Sequence, residues 1–356
     1  MRFPVATVLG LMLSGLVGAA PSVTVQRPDA ATTLTRIAFG SCSFQSVPQP
    51  IFRTVVASHP DLYLSLGDAI YGDYDIATKQ AYAVTETSLR REWQVLADNP
   101  DWQRLVANVP VMAPWDNHDN GHHSAGVEFP MKETSRDIFL DFFAEPQDTP
   151  RRLTPGIYES RIFGPEGKRV QVIMLDTRSF KSPPKLAQRS AGASGSVGKY
   201  APNSDADATL LGETQWSWLA QQLALPAEVR LIASSGQVIP DQKGMDEWGN
   251  YPLERQKLLR LVEQRGASVA LLLSGNVHFS EVSRLTGEAG TLFEFTSSGL
   301  THVNEEYPKV ENPYRVAGPY VDVSFGLVVI DWKSGPVISL SAVALDGSSA
   351  FEVQLP

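Results

Sequence analysis

The chain has one cysteine, Cys42, among 356 residues, so no disulfide framework holds it together. It has no basic stripe. Thirty-nine acidic residues against 30 basic ones leave a formal charge of −9, whereas a nucleic acid's phosphates must be met by clustered lysine and arginine. Beyond the N-terminus no apolar run approaches the roughly 18 residues that cross a bilayer. Internal repeats and heptads are missing. No serine sits in Gly-x-Ser-x-Gly at a strand-to-helix turn, and no glycine-rich phosphate cradle opens a helix. What is present is 43% hydrophobic and 19% charged residues, enough to bury a large core in one large domain or two ordinary ones.

Residues 1–20 read as a secretory leader. Arg2 supplies the positive end, Val5 to Val17 the apolar stretch, and Gly18-Ala19-Ala20 the small residues before Pro21. Removing Arg2 takes the formal charge from −9 to −10. No cysteine follows the apolar run and no Arg-Arg pair precedes it, so the reading is general export without a lipid or other stable membrane anchor. The expected destination is periplasmic or secreted. One domain over 34–356 follows the leader.

In an oxidising compartment a lone cysteine is either inert and buried or kept for its thiolate. Cys42 ends the short apolar run Arg36 to Phe39 in Gly40-Ser41-Cys42-Ser43, where open α/β sheets place ligands. The same pattern recurs. Leu62 to Leu66 ends in Gly67-Asp68-Ala69-Ile70-Tyr71-Gly72-Asp73, and Val109 to Ala113 in Pro114-Trp115-Asp116-Asn117-His118-Asp119-Asn120. Val170 to Leu175 ends in Asp176-Thr177-Arg178, Val229 to Ala233 in Ser234-Ser235-Gly236-Gln237, and Ser268 to Leu273 in Ser274-Gly275-Asn276-Val277-His278. Helical spacing appears over Ile51 to Ser58, Ala77 to Ala97, Thr134 to Phe143, Glu213 to Leu225 and Leu253 to Gln264. Strands alternating with helices, polar at one end, predict a layered α/β domain with one shared site. From Thr291 onward Leu292 to Ser297, Val321 to Asp331, Val337 to Ala344 and Phe351 to Leu355 read as antiparallel strands of the same domain. Lys181 to Leu210 and Thr301 to Tyr320 read as long rim loops.

The strand ends gather a thiol (Cys42), carboxylates (Asp68, Asp116), a phenol (Tyr71), carboxamides (Asn117, Asn276, Gln237) and imidazoles (His118, His278). Such mixed S, O and N donors suit a site with more than one metal ion. A carboxylate such as Asp68 can bridge two cations, and a cation pair suits displacement at phosphorus.

The motifs Gly40-Ser41-Cys42, Leu66-Gly67-Asp68-x-x-Tyr71-Gly72-Asp73, Trp115-Asp116-Asn117-His118-Asp119, Leu211-Gly212-x-x-Gln215-x-x-Trp218-Leu219 and Ser274-Gly275-Asn276-Val277-His278 together resemble the alkaline phosphatase D (PhoD-like) branch of the calcineurin-type metallophosphoesterases. The resemblance runs from about Arg36 to Leu300. It implies a four-layer αββα sandwich with C-terminal antiparallel strands, and an exported hydrolase that releases phosphate from small-molecule phosphoesters. It implies a centre of Fe(III) with Ca(II), another divalent metal being the alternative. On that pattern Cys42, Asp68 and Tyr71 hold the iron with Asp68 bridging, and Asn117, Asn276 and His278 complete the metal set. His118 contacts the phosphate as acid, with Asp116 or a neighbour fixing its tautomer. Arg178 either clamps phosphate or pairs with a buried carboxylate.

Relatives usually carry Asp where this chain has Asn117 and Asn276, which makes this site less negative and should weaken hard-cation binding or favour a different second metal. The extra N-terminal β domain of longer relatives is not expected here, because Cys42 follows the leader by only about twenty residues. Asp73 and Asp119 read as turn caps, His122 and His123 as a pair that points apart, and His59 and His302 as surface or rim residues. Two other functions stay open at this point. The same centre can serve a phosphodiesterase or phospholipase D-like hydrolase, or the fold can be a non-catalytic, metal-stabilised binding module.

Overall fold

The computed structural model describes residues 25–356 apart from 27, 189–197, 265–266, 268 and 288–289; the leader expected at 1–20 lies outside the described residues. Two sheets face each other. The first runs, edge to edge, Ser349–Gln354, Val337–Ala344, Ser324–Asp331, Arg36–Gly40, Leu62–Ser65, Val111–Met112. The second runs Arg315–Tyr320, Ser280–Thr286, Thr291–Ser297, Val269–Ser274, Val229–Ala233, Val170–Met174, Glu159–Phe163.

The period-two alternation of each strand builds the layers. Ile37 and Phe39, Leu62 and Leu64, Val172 and Met174, Leu231 and Ala233, Leu271 and Leu273 all enter the core between the sheets. The residues between them face outward. Ala38 and Tyr63 pack under the helices Ile51–Ala57, Glu86–Asp98, Pro100–Asn108 and Lys132–Phe142. Ile173, Ile232 and Leu272 pack under Gly212–Leu223 and Pro252–Gln264. The strand runs are therefore apolar on both faces, and the result is the expected αββα sandwich.

Three strands of the first sheet are mutually parallel (Arg36–Gly40, Leu62–Ser65, Val111–Met112). Four of the second are as well (Val170–Met174, Val229–Ala233, Val269–Ser274, Thr291–Ser297). The carboxyl ends of these strands carry the chemically capable loops, as open α/β sheets require.

Several expectations are corrected. Ala77 to Ala97 is not one helix. A hairpin (Tyr74–Asp75, Gln80–Ala81) comes first, and the helix starts at Glu86 because Thr85 and Ser88 form a capping box, Ser88 N donating to Thr85 Oγ1 at 3.0 Å. The helix Pro100–Asn108 is additional; Asn99 caps it, accepting from Asp101 N at 3.0 Å, and Pro100 sits at its first position. Thr291–Ser297 is antiparallel to Ser280–Thr286 but parallel to Val269–Ser274, so the antiparallel reading holds on one side only. Thr301 to Tyr320 ends in the strand Arg315–Tyr320. Within 181–210, Lys185–Leu186 pairs antiparallel with Tyr200–Ala201.

Candidate functional site

Two strand ends of the first sheet are fastened together at the outset. Cys42 N donates to Gly67 O at 3.2 Å and Ser43 N to Asp68 O at 2.9 Å. Gly67, at φ +99°, must be glycine here, since a Cβ would lie 2.5 Å from Asp116 Cβ. The second sheet meets this corner at Gly275, where a Cβ would collide with Ser41 Oγ; Asn276 N donates to the same Ser41 Oγ at 3.2 Å. The loop after Thr291–Ser297 closes over the top, with Gly299 N and Leu300 N donating to Ser41 O at 3.1 and 3.2 Å.

These ties bring the donors together. The Cys42 thiol lies 3.5 Å from Asp68 Oδ2, and donor atoms of Cys42, Asp68 and His278 all lie within 4.8 Å of one another. Cys42, Asp68, Asn276 and His278 all adopt left-handed backbone conformations, with φ of 63°, 50°, 69° and 60°. Each costs on the order of 1 kcal/mol for a side-chain-bearing residue. Strain gathered at four neighbouring positions marks a functional site rather than a packing accident.

Tyr71 stands at the rim of this cluster. Its ring packs against Phe44, centroids 4.4 Å apart, and its hydroxyl shares a hydrogen bond with His302 Nε2 at 3.1 Å. His302 is not a surface residue: it stacks on Phe44 at 3.8 Å and meets the His278 ring edge-on at 4.3 Å. Burial, reinforced by Asp68, pushes the Cys42 thiol well above its usual range. Burial and then Cys42 do the same to the Tyr71 phenol. Burial raises the Asp68 carboxyl despite the nearby His118, and lowers His278 well below an ordinary imidazole.

His118 lies in the short helical turn Asn117–Asn120. Its amide donates to Asp68 Oδ1 at 3.2 Å, and its Nδ1 is hydrogen-bonded to Asp73 Oδ1. Burial alone would lower its pKa; Asp68 and the Asp73 hydrogen bond outweigh that and raise it to about 9. The carboxylate that fixes this ring is therefore Asp73, not Asp116, and Asp73 does more than cap a turn. Asp119 does cap: its carboxylate accepts from Ala69 N at 2.9 Å, Ile70 N at 3.0 Å and Asp116 N at 2.9 Å. His122 and His123 diverge as expected, and His123 alone turns toward His118, ring centroids 6.1 Å apart.

Asp116 faces Arg178 instead. Arg178 is 2% exposed, donates through Nε to Asp116 Oδ1 at 2.7 Å and also pairs with Asp246, which Lys181 approaches at 3.3 Å. Of the two roles open to Arg178, this geometry is the pairing with buried carboxylates. Asp246 in turn accepts, through its main-chain oxygen, from Asn276 Nδ2 at 3.1 Å, which leaves the Asn276 carbonyl oxygen as the atom available to a ligand. Asn117 is buried. Gln237 belongs to a different network, donating to Glu281 at 2.8 Å and Thr296 at 3.0 Å.

The donor set fits a cation. A thiol, a carboxylate, an imidazole and an adjoining phenol converge in a buried corner, where negative charges are unstable without a compensating positive one. Asp116 Oδ2 is buried beside them with no hydrogen-bond partner among the described residues, which is unusual for a native carboxylate. Soft sulfur with harder oxygen and nitrogen suits a transition metal, and the carboxamide oxygens suit a harder ion.

The family model described as PhoD-like phosphatase matches residues 37–322. Alkaline phosphatase D of Bacillus subtilis (strain 168) is 23% identical over 306 residues, covering 78% of this chain and 51% of the relative. The chain thus spans about half the length of that curated relative. The solved structure of PhoD superposes with a TM-score of 0.66 at 17% identity, over 94% of this chain and 73% of the other, and establishes the shared fold. On the family match, which covers most of its length, the chain belongs to the PhoD-like phosphatase family.

Proposed function

We propose that this protein is an exported, metal-dependent phosphoric ester hydrolase. The observation that carries the reading is the convergence of Cys42, Asp68 and His278 within 4.8 Å, next to a histidine held by Asp73. Cys42, Asp68 and Tyr71 would hold one cation, and Asn117, Asn276 and His278 would complete the metal set. The identity of the metals is open to Fe(III) with Ca(II) or another divalent ion. When bound, the cations supply the charge that draws and neutralises a phosphate on an otherwise acidic protein, and lower the pKa of an attacking water.

The chain's own residues then have distinct tasks. Asp73 occupies Nδ1 of His118, so Nε2 is the nitrogen left to hydrogen-bond a phosphoryl or leaving-group oxygen and hand it a proton. The Asp68 carboxylate is oriented by the His118 amide at 3.2 Å, which couples the metal corner to the acid. Arg178 keeps Asp116 and Asp246 in place and thereby sets the Asn276 side chain. No helix of the described residues is long and apolar enough to cross a membrane, and the leader read at 1–20 supports export.

Hydrolysis of p-nitrophenyl phosphate and bis-p-nitrophenyl phosphate before and after chelation tests this. Turnover of at least one ester that chelation abolishes and added metal restores is expected. Turnover unaffected by complete metal removal would refute the reading, and metal bound without turnover of either ester would favour a binding module.

A further inference from the structure

A cavity of about 200 Å³ opens beside the site, walled by His123, Lys199, Tyr200, Met245, Asp246 and Tyr307. Three of its walls touch site residues. The His123 ring lies 6.1 Å from that of His118, the Tyr307 ring 6.3 Å from that of His278, and Asp246 O accepts from Asn276 Nδ2 at 3.1 Å. A larger cavity, about 500 Å³, lies between the helices Gly212–Leu223 and Pro252–Gln264, and no strand-end residue lines it. A phosphoryl group seated against His118 and His278 therefore has the smaller cavity as its neighbour.

The wall chemistry is specific. The Asp246 carboxylate is already spent on Arg178 and Lys181, so it offers no free negative charge. His123 and Tyr307 contribute aromatic rings to the wall. Tyr200 is buried, its hydroxyl donating to Ser124 Oγ, and lines the cavity. Met245 adds an adaptable thioether. At the outer edge the exposed Lys199 ammonium sits 5.4 Å from the centre of the Tyr200 ring. The space is small beside the roughly 300–1,000 Å³ of pockets for drug-sized ligands, and fits one ring with a short substituent.

We infer that this cavity receives the alcohol portion of the ester, and that it selects a flat, unsaturated group carrying an anionic substituent toward Lys199. The inference rests on the phosphoester reading above. Aromatic and thioether walls favour a planar apolar body, and the exposed Lys199 ammonium at the mouth favours a carboxylate or similar anion over a neutral end.

Phenyl phosphate and 4-carboxyphenyl phosphate test it, because their leaving groups are similar in acidity and differ chiefly in charge at the far end. The parent protein, with its metals, is expected to favour the carboxylated ester in kcat/KM on the order of fivefold, the scale of an exposed ion pair. Lys199→Ala should remove that preference and Lys199→Glu reverse it. Met245→Trp should fill the cavity and lower kcat/KM for both aryl esters relative to methyl phosphate. Equal use of the two aryl esters by the parent and by Lys199→Glu would overturn the assignment while leaving the phosphoester reading intact. Turnover of none of the three esters by metal-loaded protein would instead overturn the phosphoester reading, and the cavity's role with it.

Discussion

The Asp73 carboxylate is hydrogen-bonded to Nδ1 of His118 across two strand-end loops, while its second oxygen accepts from His123 N at 2.9 Å. Asp73 follows the Leu62–Ser65 strand and His118 the Val111–Met112 strand. A carboxylate that grips one ring nitrogen fixes both the tautomer and the direction of the other.

Asp73→Asn is therefore expected to lower kcat by roughly 10- to 100-fold, the usual cost of losing such an orienting partner, with KM little changed. Metal content should stay at the parent level, because Asp73 supplies none of the converging donors. Steady-state kinetics with elemental analysis checks this. Loss of metal in step with kcat would show that Asp73 acts on the metal corner and not on His118.

Arg178 offers a contrasting test. It is buried between Asp116 and Asp246, and removing one partner of a buried ion pair typically costs about 3–5 kcal/mol. Arg178→Ala should destabilise the fold by that order in denaturant unfolding. A variant of unchanged stability with a raised KM alone would show that Arg178 instead reaches the substrate.

Much of this was legible in the sequence, for a physical reason. Parallel strands buried on both faces read as short apolar runs, and the chemistry must follow them at their carboxyl ends. That rule points to Cys42, Asp68, Asn117, His118, Asn276 and His278, of which Cys42, Asp68 and His278 have donor atoms within 4.8 Å of one another. It would also have found His302, which lies just past the Thr291–Ser297 strand. His302 read as a rim residue because nothing local shows the Gly299 and Leu300 amides drawing that loop down onto Ser41.

The remaining differences are tertiary. Asp73 and Asp116 are both acids in strand-end loops, and spacing cannot say which meets His118 and which meets Arg178. The pairing is decided by how two sheets far apart in sequence face each other. The helix start differs where capping outweighs periodicity, at Thr85, and the helix Pro100–Asn108 that Asn99 caps has no counterpart in the periodicity reading.

Glu247 links stability to pH away from the metal donors. It is buried, its Oε2 has no partner among the described residues, and burial pushes its pKa up to about 7 despite the nearby Lys243. The folded state thus holds its proton more tightly than the unfolded chain, and this contribution is fully present below pH of about 4.5 and is lost as pH rises to about 7. Glu247→Gln should gain up to about 3 kcal/mol over the parent at pH 8, and nothing at pH 4. Chemical denaturation at the two pH values measures it, and an equal effect at both would contradict the buried-acid account.

The proposed ester hydrolysis depends on a metal centre to which Cys42, Asp68 and His278 all contribute, their donor atoms lying within 4.8 Å of one another. Elemental analysis of the purified protein and of Asp68→Ala, each assayed on p-nitrophenyl phosphate, tests it most directly. Stoichiometric metal in the parent, lost together with turnover in a folded Asp68→Ala variant, is the predicted result. Retained turnover in a metal-free Asp68→Ala protein would contradict it.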